Sequence, residues 1–359
     1  MTPAKQRNTA IDMTKGLLFL SVPMVHILNL ESMSVLYPIM KVVTTAIMIV
    51  YFMLSGYTFR PGKRSWAENV KRRVKQLLLP WLLWILADTV IVTVYNLLSG
   101  SFSLGESLLG AWQGFLYNNQ LLSMPTTMAA MDICIGQEAF WFLCQMFLAD
   151  LVFFAVADLT AKDESKALLA AMALLGISGA MCQFLPESLP FTLEETCAYA
   201  AAMLLGCLAG KHRLLEENPL KGLWGAAGIL VSLAVLSVIR LSAQGDYGDW
   251  GPRTMVGMFQ QILCASLTLY AVVFALKALG SRCRPAETVL VWLGKHTLDL
   301  LMVHMPVCVL LRKLEPLADT EAVGTCLLTF ALTVVLSLLF CFVKDTLLAK
   351  AAARKKAAV

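Results

Sequence analysis

Charge is scarce in this chain. Asp, Glu, Lys and Arg make up 15% of its 359 residues, whereas 58% are hydrophobic. A soluble domain carries roughly 25% charge, so an ordinary water-soluble globule is excluded. Histidine is scarcer, at 4 residues. No lysine or arginine occurs between Lys75 and Lys162. The 10 cysteines contain no C-x-x-C pair. Most of them fall in apolar runs and read as small core residues. Neither a disulfide framework nor a metal-ligating set is expected. No polar stretch is long enough for a soluble domain, and no internal repeat is visible. A cleavable signal peptide is not expected either. The first apolar run lacks a small-x-small exit and is followed by many more.

Those runs are what the chain does have. They lie at about 15–30, 41–59, 77–98, 138–158, 166–185, 191–210, 221–240, 257–278, 288–309 and 323–343. Each is near the ~20 residues that a helix needs to cross a bilayer. All are too long for barrel strands, and lipid tolerates only helices or closed barrels. The expected fold is an all-α polytopic membrane bundle of about ten transmembrane helices. The run at 191–210 is the weakest, because Glu194, Glu195 and Thr196 interrupt its start. Most of the 29 basic residues fall in alternate loops that become cytoplasmic if the N-terminus is inside. Only Lys41, Arg240, Arg253, Arg312 and Lys313 fall in the outer ones. Both termini are therefore expected in the cytoplasm of a multi-pass plasma-membrane protein. The net charge of +5 is mostly this bias and is not a nucleic-acid signal. One membrane domain, 1–348, is followed by a short basic tail, 349–359, whose Ala/Lys composition suggests disorder.

Ionisable residues at membrane depth are costly to keep and point to function. His26 lies near the middle of the first run, three residues after Pro23. A mid-helix proline frees a carbonyl and kinks the helix. Such a kink can open a polar pocket, although a lone membrane histidine can also merely bond a neighbouring helix. The ninth run is the most polar, with Lys295, His296, Asp299 and His304. Lys295 and Asp299 are four apart and can pair on one helical face. Asp299, Asp150 and Asp88 are all candidates to orient His26 and stabilise its protonated form. The residues do not say which one touches it. Ser55 sits beside Gly56 near the end of the second run, suited either to close helix packing or to lining a channel. The inner stretch from Arg60 to Lys75 carries seven positive charges. It reads as topology and anionic-lipid contact, or as a phosphate-binding surface. The longest outer loop, about 99–137, includes an amphipathic stretch, 106–117, able to lie at the interface or fold back as a lid. Glu138 and Trp141 open the fourth run, where an aromatic belt is the plain reading.

Five segments taken in order resemble the acyltransferase-3 family of integral membrane proteins. Lys15, ten residues, then His26 is similar to its basic-x10-His signature, with Lys for the commoner Arg. Phe52-Met-Leu-Ser55-Gly56-Tyr57 resembles its Phe-x-x-Ser-Gly-aromatic helix end. Arg72-Arg73-Val-Lys75, running on to Pro80-Trp81, resembles its basic run into an apolar-Pro-aromatic stretch. Phe140-Trp141-Phe142-Leu143, and Leu293 to Leu298 with His304, resemble two further segments. Asp299 departs from the apolar or neutral residue expected at its position.

The resemblance implies O-acylation, usually O-acetylation, of a glycan or related hydroxyl at the outer face. Cytoplasmic acyl-CoA would be the donor substrate, with no permanently bound cofactor, and His26 would be the reaction centre. On this reading Asp299 and Asp150 assist His26. Lys15, Arg72, Arg73, Lys75, Ser55 and Tyr57 hold the donor. Trp141, Glu138, His304, Lys295 and His296 meet the acceptor. The expected partners are acyl-CoA, a hydroxyl acceptor and the bilayer. A rival reading is a non-enzymatic transporter or flippase for a lipid-linked glycan, which ten helices and a kinked first helix also suit.

Overall fold

A computed structural model describes residues 8–27, 47–117, 141–185, 189–216, 222–242, 255–312, 314, 317 and 322–357. Among these residues every regular element is helical. In chain order they are α1 (Thr9–Ile27), α2 (Ile47–Thr58), α3 (Trp66–Arg73), α4 (Leu79–Ser99), α5 (Leu104–Tyr117), α6 (Trp141–Thr160) and α7 (Glu164–Phe184). There follow α8 (Leu193–Lys211), α9 (Gly222–Ser242), α10 (Met255–Gly280), α11 (Arg284–Lys295), α12 (Thr297–Arg312) and α13 (Val323–Ala357). Among the described residues, six stretches are long and apolar enough to cross a membrane: Trp66–Ser99, Trp141–Thr160, Glu164–Phe184, Pro190–Lys211, Gly257–Gly280 and Val323–Arg354. The weak sixth run is among them.

The helices are apolar outside as well as inside. Along α4 the buried residues are Trp81, Ile85, Asp88, Val92 and Asn96, a single helical stripe. Leu82, Leu83, Leu86, Val90 and Ile91 on the other faces are exposed. In α13 the pattern is sharper. Cys326, Thr329, Thr333, Ser337 and Cys341 are buried, whereas Leu327, Leu328, Val335, Leu339 and Phe342 face outward. Water would penalise so much exposed hydrocarbon. Lipid does not, and in lipid small and weakly polar residues are what let helices pack.

The chain divides into two compact units: residues 1–40 with 279–359, and residues 41–278. In the first unit α1 packs against α11, α12 and α13. Gly16 and Gly294 allow the α1–α11 crossing. A Cβ at Gly294 would collide with the Asp12 carbonyl, and one at Gly16 with that of Leu290. In the second unit α8 is central, against α2, α6 and α7. Its Gly206-Cys-Leu-Ala-Gly210 is a G-x-x-x-G face. Gly206 meets the Met53 carbonyl, Gly210 that of Tyr57, and Gly56 of α2 meets that of Met203.

Two expectations need correction, a single ninth helix and a disordered tail, whereas the amphipathic stretch 106–117 is helical as its spacing suggests. The ninth run is not one helix: α11 ends at Lys295, His296 is the joint, and α12 starts at Thr297. The 99–137 loop holds the helix α5, which turns back on α4 after Gly100 in a left-handed C-cap. Asn96 of α4 donates to Ser107 of α5 at 3.3 Å. Residues 118–137 lie outside the described residues. The basic tail is not disordered over 349–357, because α13 continues through it. Ala, Lys and Arg are among the better helix formers.

Candidate functional site

Two groups of polar residues stand out, one in each unit. In the first unit His26 lies on α1, three residues after Pro23. Arg312 of α12 reaches its backbone: Nη2 donates to the His26 carbonyl at 2.7 Å and to the Ile27 carbonyl at 3.2 Å. The ring facing His26 is that of His304, with centroids 5.8 Å apart and planes tilted by 40°. The edge of Phe19 packs on His304. His26 is half-buried, whereas His304 is fully buried. Lys15 is half-buried on α1, about 16 Å from His26 along the helix at its rise of ~1.5 Å per residue.

Two of the acids expected beside His26, Asp299 and Asp150, have other partners. Asp299 pairs with Lys344 of α13 and not with Lys295. The break at His296 takes Lys295 and Asp299 off a common helical face, and Lys295 is exposed. His296 packs at a tilt against Trp292, with ring centroids 4.3 Å apart, and stands 3.4 Å from Asp345. Donor atoms of His296, Asp299 and Cys341 lie within 4.8 Å of one another. The Lys344 ammonium already supplies positive charge to that cluster, which is therefore balanced by the chain's own lysine.

In the second unit, α3 starts with a capping box in which Ser65 and Glu68 satisfy each other's backbone N–H groups. Two bonds to α6 hold the segment down: the Gly62 N–H to Asp158 at 3.2 Å, and the Trp66 indole N–H to the Leu151 carbonyl at 3.2 Å. A π-helical turn, Val74–Leu78, follows directly after Arg73. Such turns recur at functional sites. Arg73 is held on two sides. Its Nη2 donates to Ser55 Oγ at 2.8 Å, and its Nε is 2.9 Å from Asp150 Oδ2. This joins three residues named from the sequence.

Ser55 and Arg73 border a cavity of about 330 Å³. Its lining includes Ser55, Asn69 and five cations, Arg60, Lys63, Arg64, Arg72 and Arg73, and no carboxylate. Guanidinium forks suit phosphate oxygens, which accept bidentate hydrogen bonds. Arg60 also caps α2, donating to the Tyr57 carbonyl at 3.4 Å and to the Phe59 carbonyl just past the helix at 3.1 Å.

Other candidates fall outside these groups. Lys75 is exposed and does not line the cavity. Tyr57 is buried, and its hydroxyl accepts the Leu215 N–H at 3.3 Å. Lys277 binds the Leu215 carbonyl at 2.6 Å, so that segment is tied twice. Trp141 is buried against Phe142 and Tyr199. Glu138 lies outside the described residues. Asp88 is buried on α4, and its Oδ2 has no partner among the described residues. Sequence reasoning missed Arg312 as a neighbour of His26. The only signal was its rarity, as one of few cations in an outer segment.

A family model described as an acyltransferase domain matches residues 8–344. No curated protein matches the chain, and no solved structure does.

Proposed function

The chain belongs to the acyltransferase-3 family, and from that premise we propose that it is a membrane O-acyltransferase using acyl-CoA. The acyl group is acetyl, and the acceptor is a hydroxyl of a glycan or related envelope molecule at the outer face of the cell membrane. Ten crossings with both termini in the cytoplasm agree with the charge bias. The observation that carries the donor assignment is the cavity with five cations and no carboxylate. A donor bearing several phosphates fits it, and a neutral substrate leaves it unexplained.

His26 acts as general base. It takes the proton from the acceptor hydroxyl as the oxygen attacks the thioester carbonyl. The tetrahedral intermediate collapses, the C–S bond breaks, and the CoA thiolate leaves with the proton from His26. A covalent variant has His26 take the acyl group first and then pass it to the hydroxyl. Either route delivers ester and free CoA thiol in equal amounts.

The test is transfer of radiolabelled acetyl from acetyl-CoA to a panel of envelope glycans by purified protein in liposomes. His26→Ala should lose about 10²–10⁴-fold in turnover while still binding acetyl-CoA. Arg64→Gln and Arg72→Gln should raise the KM for acetyl-CoA and leave the acceptor KM alone. Full turnover by folded His26→Ala ends the mechanism. Wild type that neither binds acetyl-CoA nor releases CoA ends the enzymatic reading in favour of a transporter.

A further inference from the structure

The buried imidazole of His304 has a definite protonation pattern. Its Nδ1 lies 3.2 Å from the Leu300 carbonyl on the same helix. A carbonyl oxygen only accepts, so Nδ1 carries the hydrogen and donates it. In a neutral ring Nε2 then holds a bare lone pair. That Nε2 is buried and has no donor among the described residues. Buried acceptors are rarely left so. The ring itself is 1% exposed, with the Phe19 edge against it. The ring of His26 is 5.8 Å away and more accessible.

Both histidines sit beside a proline within their helix, Pro23 three residues before His26 and Pro306 two residues after His304. Each proline removes one backbone hydrogen bond and loosens its helix locally. Arg312 fixes the backbone of His26 at its carbonyl. What remains free is rotation of its ring.

We propose that His304 is the positioning residue of His26, its Nε2 accepting the imidazole N–H of His26. This rests on the reading of His26 as the reacting base. The Leu300 carbonyl fixes the tautomer of His304, and His304 fixes that of His26. The second nitrogen of His26 is left unprotonated and turned to the acceptor hydroxyl. When His26 takes up the hydroxyl proton, both its nitrogens carry hydrogen, and one is already held. His304 accepts a hydrogen bond throughout and gains no proton. The arrangement follows the general rule that the hydrogen bond at one imidazole nitrogen decides the state of the other.

The chain has 4 histidines, so the protein labelled with ¹⁵N in its imidazoles gives a simple spectrum in nanodiscs. Signals are assigned by the loss caused by His26→Ala. In wild type, His26 should show one tautomer. In His304→Leu it should show a mixture, with kcat for acetyl transfer about 10–100-fold lower and the KM for acetyl-CoA within about twofold. His304→Gln, which offers an acceptor oxygen, should restore part of both and serves where the leucine variant does not fold. An unchanged His26 tautomer with wild-type kcat in His304→Leu, or no preference for one His26 tautomer in His304→Gln, overturns the pairing. Wild type without any acetyl transfer or CoA release counts against the acyltransfer reading instead. The tautomer measurement then still decides whether His304 holds His26.

Discussion

Replacing Arg73 by alanine tests the second unit most directly. Asp150 is fully buried, with Oδ2 2.9 Å from Arg73 Nε. Neither of its oxygens makes another bond among the described residues. Arg73 is 25% exposed and keeps a second bond to Ser55. The two ends of this pair are therefore unequal. Arg73→Ala leaves a carboxylate in the interior with no cation. Breaking a buried pair this way costs about 3–5 kcal/mol, against ~0–1 kcal/mol for a surface pair. The partial exposure of Arg73 favours the lower part of that range, near 3 kcal/mol. Asp150→Asn leaves Arg73 a neutral acceptor, Ser55 and some solvent, and should cost about 1–2 kcal/mol. Thermal unfolding in detergent, followed by size-exclusion fluorescence, ranks the variants. At roughly 2–4 °C per kcal/mol, Arg73→Ala should fall by several degrees and Asp150→Asn by clearly less. The double variant Arg73→Ala with Asp150→Asn should recover part of the loss, since the buried charge is gone. Equal losses in the two single variants, or a larger one in Asp150→Asn, would refute the argument that the uncompensated carboxylate dominates.

Two further outcomes follow from packing and capping. Gly206→Val should disrupt the α2–α8 crossing and sharply reduce folded yield, because a Cβ there meets the Met53 carbonyl; Gly176→Ala, with open space around it, should behave as wild type in the same assay. Asp163 caps α7, accepting the Lys166 N–H at 3.1 Å, and this bond holds its carboxyl below the usual aspartate range. A depressed folded value means that the cap's contribution is complete above the unfolded value of about 3.9 and is lost as pH falls through the lower, folded one. Hydrogen exchange at Lys166 should accelerate over that acid window in wild type. Asp163→Asn should remove the acceleration, and an unchanged pH response in that variant would count against the cap as its source.

The membrane class was legible because hydrocarbon length and charge scarcity are local properties that one reads along the chain. The clustering of cations around Arg72 and Arg73 was legible for a similar reason, since seven positive charges between Arg60 and Lys75 are visible along the chain. The break at His296 was not. Lys295 and Asp299 have the spacing of a helical pair, and only packing of α11 on α1, with Gly294 against the Asp12 backbone, accounts for two helices where the hydropathy predicts one. The tail misled for the opposite reason: its charge suggested disorder, although its residues are strong helix formers that prolong α13.

The sequence alone determined that His26 sits within an apolar run, three residues after a proline. Its surroundings were decided by the fold. Three acids looked equally able to serve it. In the folded chain Asp150 is held by Arg73 and Asp299 by Lys344, and among the described residues His26 meets the ring of His304 and, at its carbonyl, the guanidinium of Arg312. Pairings between residues nearly three hundred positions apart depend on which helix faces meet. Helical periodicity fixes each face, but the crossing of α1 with α12 brings these particular ones together.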